Sequence, residues 1–534
     1  MTTHYNSTVP SAVSYTRFGI AFRAIAGSIG VGLVLLLALW KLTHFPAPWY
    51  DEGSHLHVPK TFVLHGVYAD LSSEGYRYYG PTIGVGPTVL LPIAGVFKVF
   101  GIGLLQARLV MVVYLLAAVV AFFLLARRLG NTKFAWLATA IFVSSPSIAL
   151  FEYGRQVLGE VPGLMFVLLG LLLWFGSWQK PSLGQLILAG ALIGLGVVTK
   201  YQYLLAIAPT LLVSWMLNLV YFRAVPQRVF LVPGIVVIGV FGLWQLFTLI
   251  YLGPSTIAEN FAALREFNAG AAAVFSRDLM ARALREIISW RAFMFMLLPA
   301  LGYGAYFAFR RLPTDAHAAV ASNPTNRQQQ WSVIFLLVVS NLVWYVVASV
   351  SWIRYAFIGL AFASLFVAKL LYDLTSGLDI RAIWDSVRIR SAARLRSLGQ
   401  LALLIVLVVM IVFPIGRTAL SILRAPLPDS FTMADYMNAY VADDALIETW
   451  EPEMGFLTDH HYHYPPQLLL IRAVRQIWQG GTPVSELYDF TTLSPDYVLV
   501  GEFSRWVNVY PREKLQEEYE PVVSIGRYEL FKRK

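Results

Sequence analysis

Cysteine is absent from the 534 residues. That removes disulfide frameworks, thiolate nucleophiles and Cys-ligated zinc or iron–sulfur centres, and it leaves the redox compartment unreadable. Charge is scarce too: Asp, Glu, Lys and Arg make up 13%, where a soluble domain carries roughly 25%. Acids are the scarcer sign, 31 against 41 Lys and Arg. Such a chain is not a cytosolic enzyme, a disordered scaffold or a fibrous repeat. What fills the gap is apolar. Hydrophobic residues reach 57%, mean hydropathy is +0.62, and there are 15 Trp, 27 Tyr and 34 Phe. This is the composition of a polytopic membrane protein with aromatic belts at its interfaces.

The charge is unevenly spread. Residues 1–416 hold 30 Lys and Arg against 14 Asp and Glu, whereas residues 417–534 hold 11 against 17. A basic membrane part followed by an acidic tail reads as positive-inside topology plus a separate soluble domain, and not as a nucleic-acid binder. Apolar runs near the required length of about 17–25 residues fall at 24–40, 105–126, 134–151, 161–178, 184–200, 201–222, 229–252, 291–309, 331–350, 354–372 and 399–416. The first, preceded by Arg17 and Arg23, ends in Trp40-Lys41 without a small-x-small cleavage site and reads as an anchor.

Eleven spans put the two chain ends on opposite sides. Arg127, Arg128, Lys133, Lys180, Arg223, Arg228, Arg310, Arg311, Arg327, Arg381, Arg388, Arg390, Arg394 and Arg396 gather in the loops of one side, which is therefore read as cytoplasmic together with the N-terminus. The external face then carries the long segments 42–104 and 253–290 and everything after 416. The tail, 417–534, has the pattern of a small α/β domain. Ala445–Trp450 and Asp496–Phe503 are β-rich, Val522–Phe531 forms a hairpin pattern around Gly526, and Leu468–Trp478 has a helical apolar spacing. The segment 314–330 is rich in Ser, Asn, Thr and Gln and reads as a loop.

Of the 14 acids before residue 417, ten fall on the external side: Asp51, Glu52, Asp70, Glu74, Glu152, Glu160, Glu259, Glu266, Asp278 and Glu286. An unpaired carboxylate at a membrane edge is costly, so these acids need a reason. Pro48-Trp49-Tyr50-Asp51-Glu52-Gly53-Ser54-His55 sets two adjacent carboxylates directly after the first span, with His55 one helical turn from Asp51. A solvated helix start, favoured by the helix dipole, explains the same pair without any chemistry. Arg155 and Glu160 share a short external turn, and Lys200 and Arg354 each stand alone at an external span end. A lone cation there is ordinarily an interface anchor. Four charged external-edge sites from four hairpins are harder to explain as anchors together than singly.

The order of these parts resembles the GT-C superfamily of membrane glycosyltransferases, especially the protein O-mannosyltransferase-like family 39 and the lipid A aminoarabinose transferases. The matching pieces are WYDEGSH after the first span, Gly80-Pro81, Phe97-Lys98-Val99-Phe100-Gly101, Ala107-Arg108-Leu109 and Leu125-Ala126-Arg127-Arg128-Leu129-Gly130. GRQVLGEVP, Val198-Thr199-Lys200 and Arg354-Tyr355 follow in family order. The tail, with ETWEPEMGFLT and PDYVLVGEF, is similar to the extracytoplasmic domain of bacterial and archaeal members and lacks the sugar-binding repeats of the eukaryotic protein O-mannosyltransferases. The expected fold is a polytopic α-helical membrane protein of GT-C type, about eleven transmembrane helices in 1–416, with an extracytoplasmic α/β domain in 417–534.

The resemblance implies an inverting transfer of a monosaccharide from a polyprenyl-phosphate donor to a hydroxyl of a lipid, glycan or protein acceptor on the external face. Asp51 matches the family's first-loop acid and is the expected general base. Glu52 and Glu160 complete the catalytic candidates, Glu160 as the second-loop acid. Lys200, Arg155 and Arg354 are the candidates for the donor phosphate. No cofactor is required. A divalent metal is left open, with His55 and Glu74 as its candidate ligands and His460-His461-x-His463 beside Asp459 as a second cluster. A secondary transporter or lipid-linked glycan flippase remains the competing class. It would place its charges near the bilayer midplane within repeated halves.

Overall fold

A computed structural model describes residues 27–78, 85–258, 274–289, 293–310, 324–388, 393–466, 469–470, 472–473, 476–477, 480 and 482–534. Arg17, Arg23, Gly80-Pro81, Glu259, Glu266, Arg311 and Arg390 lie outside the described residues, as does most of the loop at 314–330. The Leu468–Trp478 segment does so in part.

Each expected span falls on a helix. These are α1 (Gly27–Leu39), α4 (Leu104–Leu129), α5 (Thr132–Ser144), α7 (Glu160–Gly176), α8 (Leu183–Thr199), α9 (Leu204–Leu217) and α10 (Arg228–Leu252). Further along come α12 (Leu298–Phe309), α13 (Pro324–Ala348), α14 (Phe357–Leu374) and α16 (Ala393–Arg424). Among the described residues, six helical runs are long and apolar enough to cross a membrane, and six apolar helices are shorter. The third expected span, 134–151, ends early at Ser144, because Pro146 lacks an N–H and disfavours helix in the residue before it. The chain turns there before the short helix α6 (Leu150–Arg155). The last helix runs unbroken to Arg424.

Glycine lets the central helices approach closely. A Cβ on Gly170 of α7 would meet Ile193 of α8 at 2.5 Å, and one on Gly190 of α8 would meet Pro233 of α10 at 2.8 Å. In lipid, where apolar burial drives no association, such close contact holds helices together. The innermost helix is α14, buried over most of its length from Phe357 to Ala368. By contrast α10 and α16 turn Ile235, Ile238, Leu243, Val408, Val412 and Phe413 outward, as lipid-facing surfaces do.

The loop after α1 is structured. It contains α2 (Tyr50–His65), a hairpin of β1 (Asp70–Ser72) and β2 (Gly75–Arg77), and the apolar helix α3 (Pro87–Phe100). The later segment 274–289 carries α11 (Arg277–Ile287), and α15 (Ile380–Arg388) precedes α16.

Beyond α16, α17 (Asp429–Tyr440) leads into a five-stranded sheet of order β4-β3-β5-β7-β6. Strands β3 (Leu446–Thr449), β4 (His461–His463) and β5 (Tyr497–Val500) are parallel. The hairpin of β6 (Tyr519–Ile525) and β7 (Tyr528–Arg533) adds antiparallel to β5, turning at Gly526 with φ +54°.

The tail rests on α2 through α18 (Pro452–Leu457). Gly53 makes the approach feasible, since a Cβ there would stand 2.2 Å from the Glu453 nitrogen. Lys60 reaches the end of α18, donating to the carbonyls of Gly455 (2.9 Å), Phe456 (3.2 Å) and Thr458 (2.8 Å), and pairs with Asp459 at 2.8 Å. Carbonyls at a helix C-terminus lack intrahelical partners and carry the negative end of its dipole, so an ammonium there satisfies both.

Candidate active site

A cavity of about 1390 Å³ opens between the end of the helical bundle that carries α2 and the tail above it. Asp51, His55, Lys200 and Arg354 line it from the bundle, and Trp450, Glu451, Glu453, Tyr464 and Tyr528 line it from the tail. The first turn of α2 begins at Tyr50 with Trp49 extended before it, so both acids sit where the helix dipole favours negative charge. Successive residues on a helix point about 100° apart. That small fact separates Asp51 from Glu52.

Asp51 faces the cavity and pairs with Arg354. Arg354 comes from the 3₁₀ turn Ile353–Ala356 that leads into α14. Its guanidinium lies 4.6 Å from the ring centre of Trp352 and 5.4 Å from that of Trp49, which hold it by cation–π contact. Burial alone would raise the Asp51 carboxyl. The positive charge of Arg354, then of His55 and Lys200, outweighs it and leaves the group below the usual carboxylate range.

Glu52 points the other way. It is fully buried and accepts from Arg108 through both oxygens, Nε to Oε1 at 2.8 Å and Nη2 to Oε2 at 2.5 Å. The Val157 N–H adds a bond of 3.1 Å, while Arg108 also donates to the Leu42 carbonyl at 2.7 Å. Glu52 therefore ties α2 to α4 and to the turn after α6, and it does not line the cavity. The sequence reading grouped it with the catalytic acids, but its oxygens are occupied by Arg108 and Val157 and it lies off the cavity wall.

Arg155 is likewise corrected. It is buried beneath α1, donating to the carbonyls of Leu37 (2.6 Å), Trp40 (2.7 Å) and Lys41 (2.9 Å). The guanidinium fork closes the unpaired end of that helix and does not face the cavity. Glu160, at the first position of α7, pairs with Lys200 at 2.8 Å and stands behind it, away from the cavity. Lys200 follows α8 directly, so its side chain reaches both Glu160 and the cavity.

The metal candidates are not brought together. The His55 ring donates from Nδ1 to the Val157 carbonyl at 2.7 Å, whereas Glu74 is 64% exposed on its hairpin and lies 3.5 Å from His463. In the second cluster His463 pairs with Glu448, Asp459 with Lys60, and His461 is exposed. Among the described residues no three His, Asp or Glu gather as an ion would need.

The tail's share of the cavity escaped the sequence reading. Glu451 accepts from the N–H and hydroxyl of Ser504, both at 2.8 Å, at the start of α19 (Glu502–Val507). Glu453 accepts from the Tyr528 hydroxyl at 2.7 Å. Burial, then their mutual repulsion in the case of Glu453, pushes both carboxyls up, Glu451 to about 7. The available signal was WEPEM (450–454), where Glu451 and Glu453 sit among Trp, Pro and Met.

Two stretches of evidence from known proteins bear on this geometry. Residues 85–247 match the model of the dolichyl-phosphate-mannose-protein mannosyltransferase family. ArnT from Cupriavidus metallidurans, solved in the apo state, superimposes with a TM-score of 0.57 over 97% of this chain and 98% of that one, at 13% identity. The chain has the GT-C fold. The same ArnT bound to undecaprenyl phosphate gives 0.55 over 98% of each chain at 11% identity. The archaeal oligosaccharyltransferase AglB from Archaeoglobus fulgidus was solved with an inhibitory peptide and a dolichol-phosphate. It shares the GT-C fold at a TM-score of 0.54, covering 94% of this chain and 74% of its own, with 11% identity. No curated protein matches the chain by sequence.

Proposed function

We propose that this GT-C protein is an inverting glycosyltransferase that moves a hexosyl or pentosyl unit from a polyprenyl-phosphate donor to an acceptor hydroxyl. The observation that carries the reading is that the Asp51 carboxylate and the cations Arg354 and Lys200, from three separate elements, meet on the bundle side of one cavity. ArnT and AglB, which share the fold, were solved with undecaprenyl phosphate and a dolichol-phosphate. A lipid of that kind supplies the leaving group this cavity suits.

The chemistry follows from charge. The acceptor oxygen attacks the anomeric carbon from the face opposite the phosphate and forms the new C–O bond. The bond from that carbon to the phosphate oxygen breaks, and the electron pair leaves with the polyprenyl phosphate. Asp51 takes the acceptor proton. Arg354 and Lys200 meet the negative charge that grows on the phosphate, in a water-poor site where such contacts are strong. Glu160 holds Lys200 in place, and Glu52 holds the turn of α2 that presents Asp51.

In this reading the cavity faces the external side, the Arg-rich loops and N-terminus are cytoplasmic, and residues 417–534 form an extracytoplasmic domain on a membrane domain of 1–416. The bilayer is the second partner, since both donor and enzyme reside in it. The test is the purified protein in lipid with a panel of polyprenyl-phosphate sugars and with lipid, glycan and peptide acceptors. Formation of a covalent sugar–acceptor product supports the reading. Movement of substrate across the bilayer with no product would make the protein a transporter.

A further inference from the structure

Lys200 and Arg354, the cations nearest Asp51, are both already paired, yet not equally. Lys200 and Glu160 have side chains only 6% and 1% exposed, and Glu160 stands behind its partner. Arg354 and Asp51 are 11% and 18% exposed and both line the cavity. Pulling Lys200 from Glu160 would strand a buried carboxylate in a dry site, which is strongly unfavourable. Pulling Arg354 from Asp51 leaves a carboxylate at a cavity wall, open to water and to the acceptor. We infer that Arg354 is an exchangeable clamp: it holds Asp51 in the resting protein and is drawn away by the donor phosphate, so that the base is released only when the donor is in place.

The inference rests on the proposed glycosyl transfer and adds an order to it, donor before acceptor. Arg354 is suited to the exchange. Its planar fork bonds a carboxylate or a phosphate equally well, and stacking near Trp352, Trp49 and Tyr355 keeps it at the wall while it changes partner. Lys200 cannot serve in the same way, because its partner has nowhere to go. The other groups that face Asp51 are His55, Lys200, Tyr50 and Tyr355. Lys200 is the fixed cation among them, but its ion pair is with Glu160, so among the described residues the ion pair at Asp51 is with Arg354. A clamped Asp51 is a weak base, so water entering the empty cavity is not activated.

By reciprocity, whatever competes for Arg354 weakens phosphate binding. Removing the competitor must therefore strengthen it. Undecaprenyl phosphate is the probe, titrated into the full-length protein in lipid nanodiscs, with undecaprenol as the phosphate-free control. Asp51→Asn is expected to bind undecaprenyl phosphate at least about fivefold more tightly than wild type, within the usual range of coupling, and undecaprenol unchanged. Glu152→Gln, which removes another carboxylate from the cavity wall, is expected to gain little. Arg354→Gln is expected to lose affinity.

Asp51→Ser repeats the test should Asp51→Asn not fold. Unchanged or weaker phosphate binding by the folded Asp51 variant would overturn the clamp. So would an equal gain in Glu152→Gln, which is simple repulsion, or an equal gain for undecaprenol. The clamp and the transfer reading fail separately. Product formation by wild type without a gain in the Asp51 variant sinks the clamp alone, and the gain without product from any donor sinks the transfer reading alone.

Discussion

Arg354 and Asp51 lie 303 residues apart and form an ion pair at the wall of the cavity, one from the turn before α14 and the other from the first turn of α2. In the proposed reaction, the pair joins the two structural elements that would have to agree for a phosphate and a proton acceptor to face the same substrate.

Asp51→Asn keeps the shape of the side chain and its hydrogen-bonding capacity but cannot take a proton as a carboxylate does. Transfer is expected to fall by about 10²–10⁴-fold, the usual contribution of a general base, while donor affinity is not reduced. Product formation and donor binding measured side by side on the one variant check this. Wild-type transfer by Asp51→Asn would remove Asp51 from the role.

Glu52→Gln acts through the fold and not through the chemistry. It leaves Arg108, fully buried, without its countercharge, and breaking such a pair costs about 3–5 kcal/mol. A lowered melting temperature and poor yield are expected, with residual transfer per folded molecule within about tenfold of wild type, since the general base itself is intact. A melting temperature equal to wild type would show that the pair carries little of the stability of α2.

Lys200→Met should weaken donor binding by removing a charge-assisted phosphate contact, whereas Lys369→Met should not. Lys369 pairs with Asp373 near the far end of α14 and does not line the cavity. Because Lys200→Met strands Glu160, the double variant with Glu160→Gln separates the two effects: it should recover stability but not donor affinity. Equal affinity in wild type and in the double variant would take Lys200 out of the site.

Gly53→Ala tests the seat of the tail. The added Cβ meets backbone of Pro452 and Glu453 at less than 3 Å, so α18 must lift from α2. Transfer is expected to drop several-fold with donor binding largely kept, as a domain above the cavity shapes the acceptor side. Unchanged transfer would make the contact accessory.

The carboxyls of Glu451 and Glu453 give the tail a pH dependence whose sign is fixed. Their folded values are raised above the ordinary 4.5, so they contribute stability fully below that pH and lose it as pH climbs through the raised values, about 7 for Glu451. The intact protein should therefore melt at a higher temperature at pH 5 than at pH 8, and Glu453→Gln should flatten the difference. A higher melting temperature at pH 8 would contradict the raised values.

Much of this was legible in the chain itself. Long apolar runs have no choice but helix in lipid, because every backbone group must be satisfied within the segment, and the tail's strands announced themselves as Val- and Tyr-rich runs bounded by Gly and Pro. The sequence could also nominate Asp51, Lys200 and Arg354, as charges at the ends of apolar helices that nothing local explains. Only the family resemblance ranked Asp51 above Glu52, and nothing in the residues could drop Arg155, since adjacent or equally charged residues look alike until a helix phase and a partner separate them. Tertiary structure decided those cases: the 100° step along α2 sends Glu52 to Arg108 and Asp51 to the cavity, and the open carbonyls of α1 claim Arg155. It also decided that the tail completes the cavity, for that depends on a contact between Gly53 and Glu453, 400 residues apart, that no local pattern encodes.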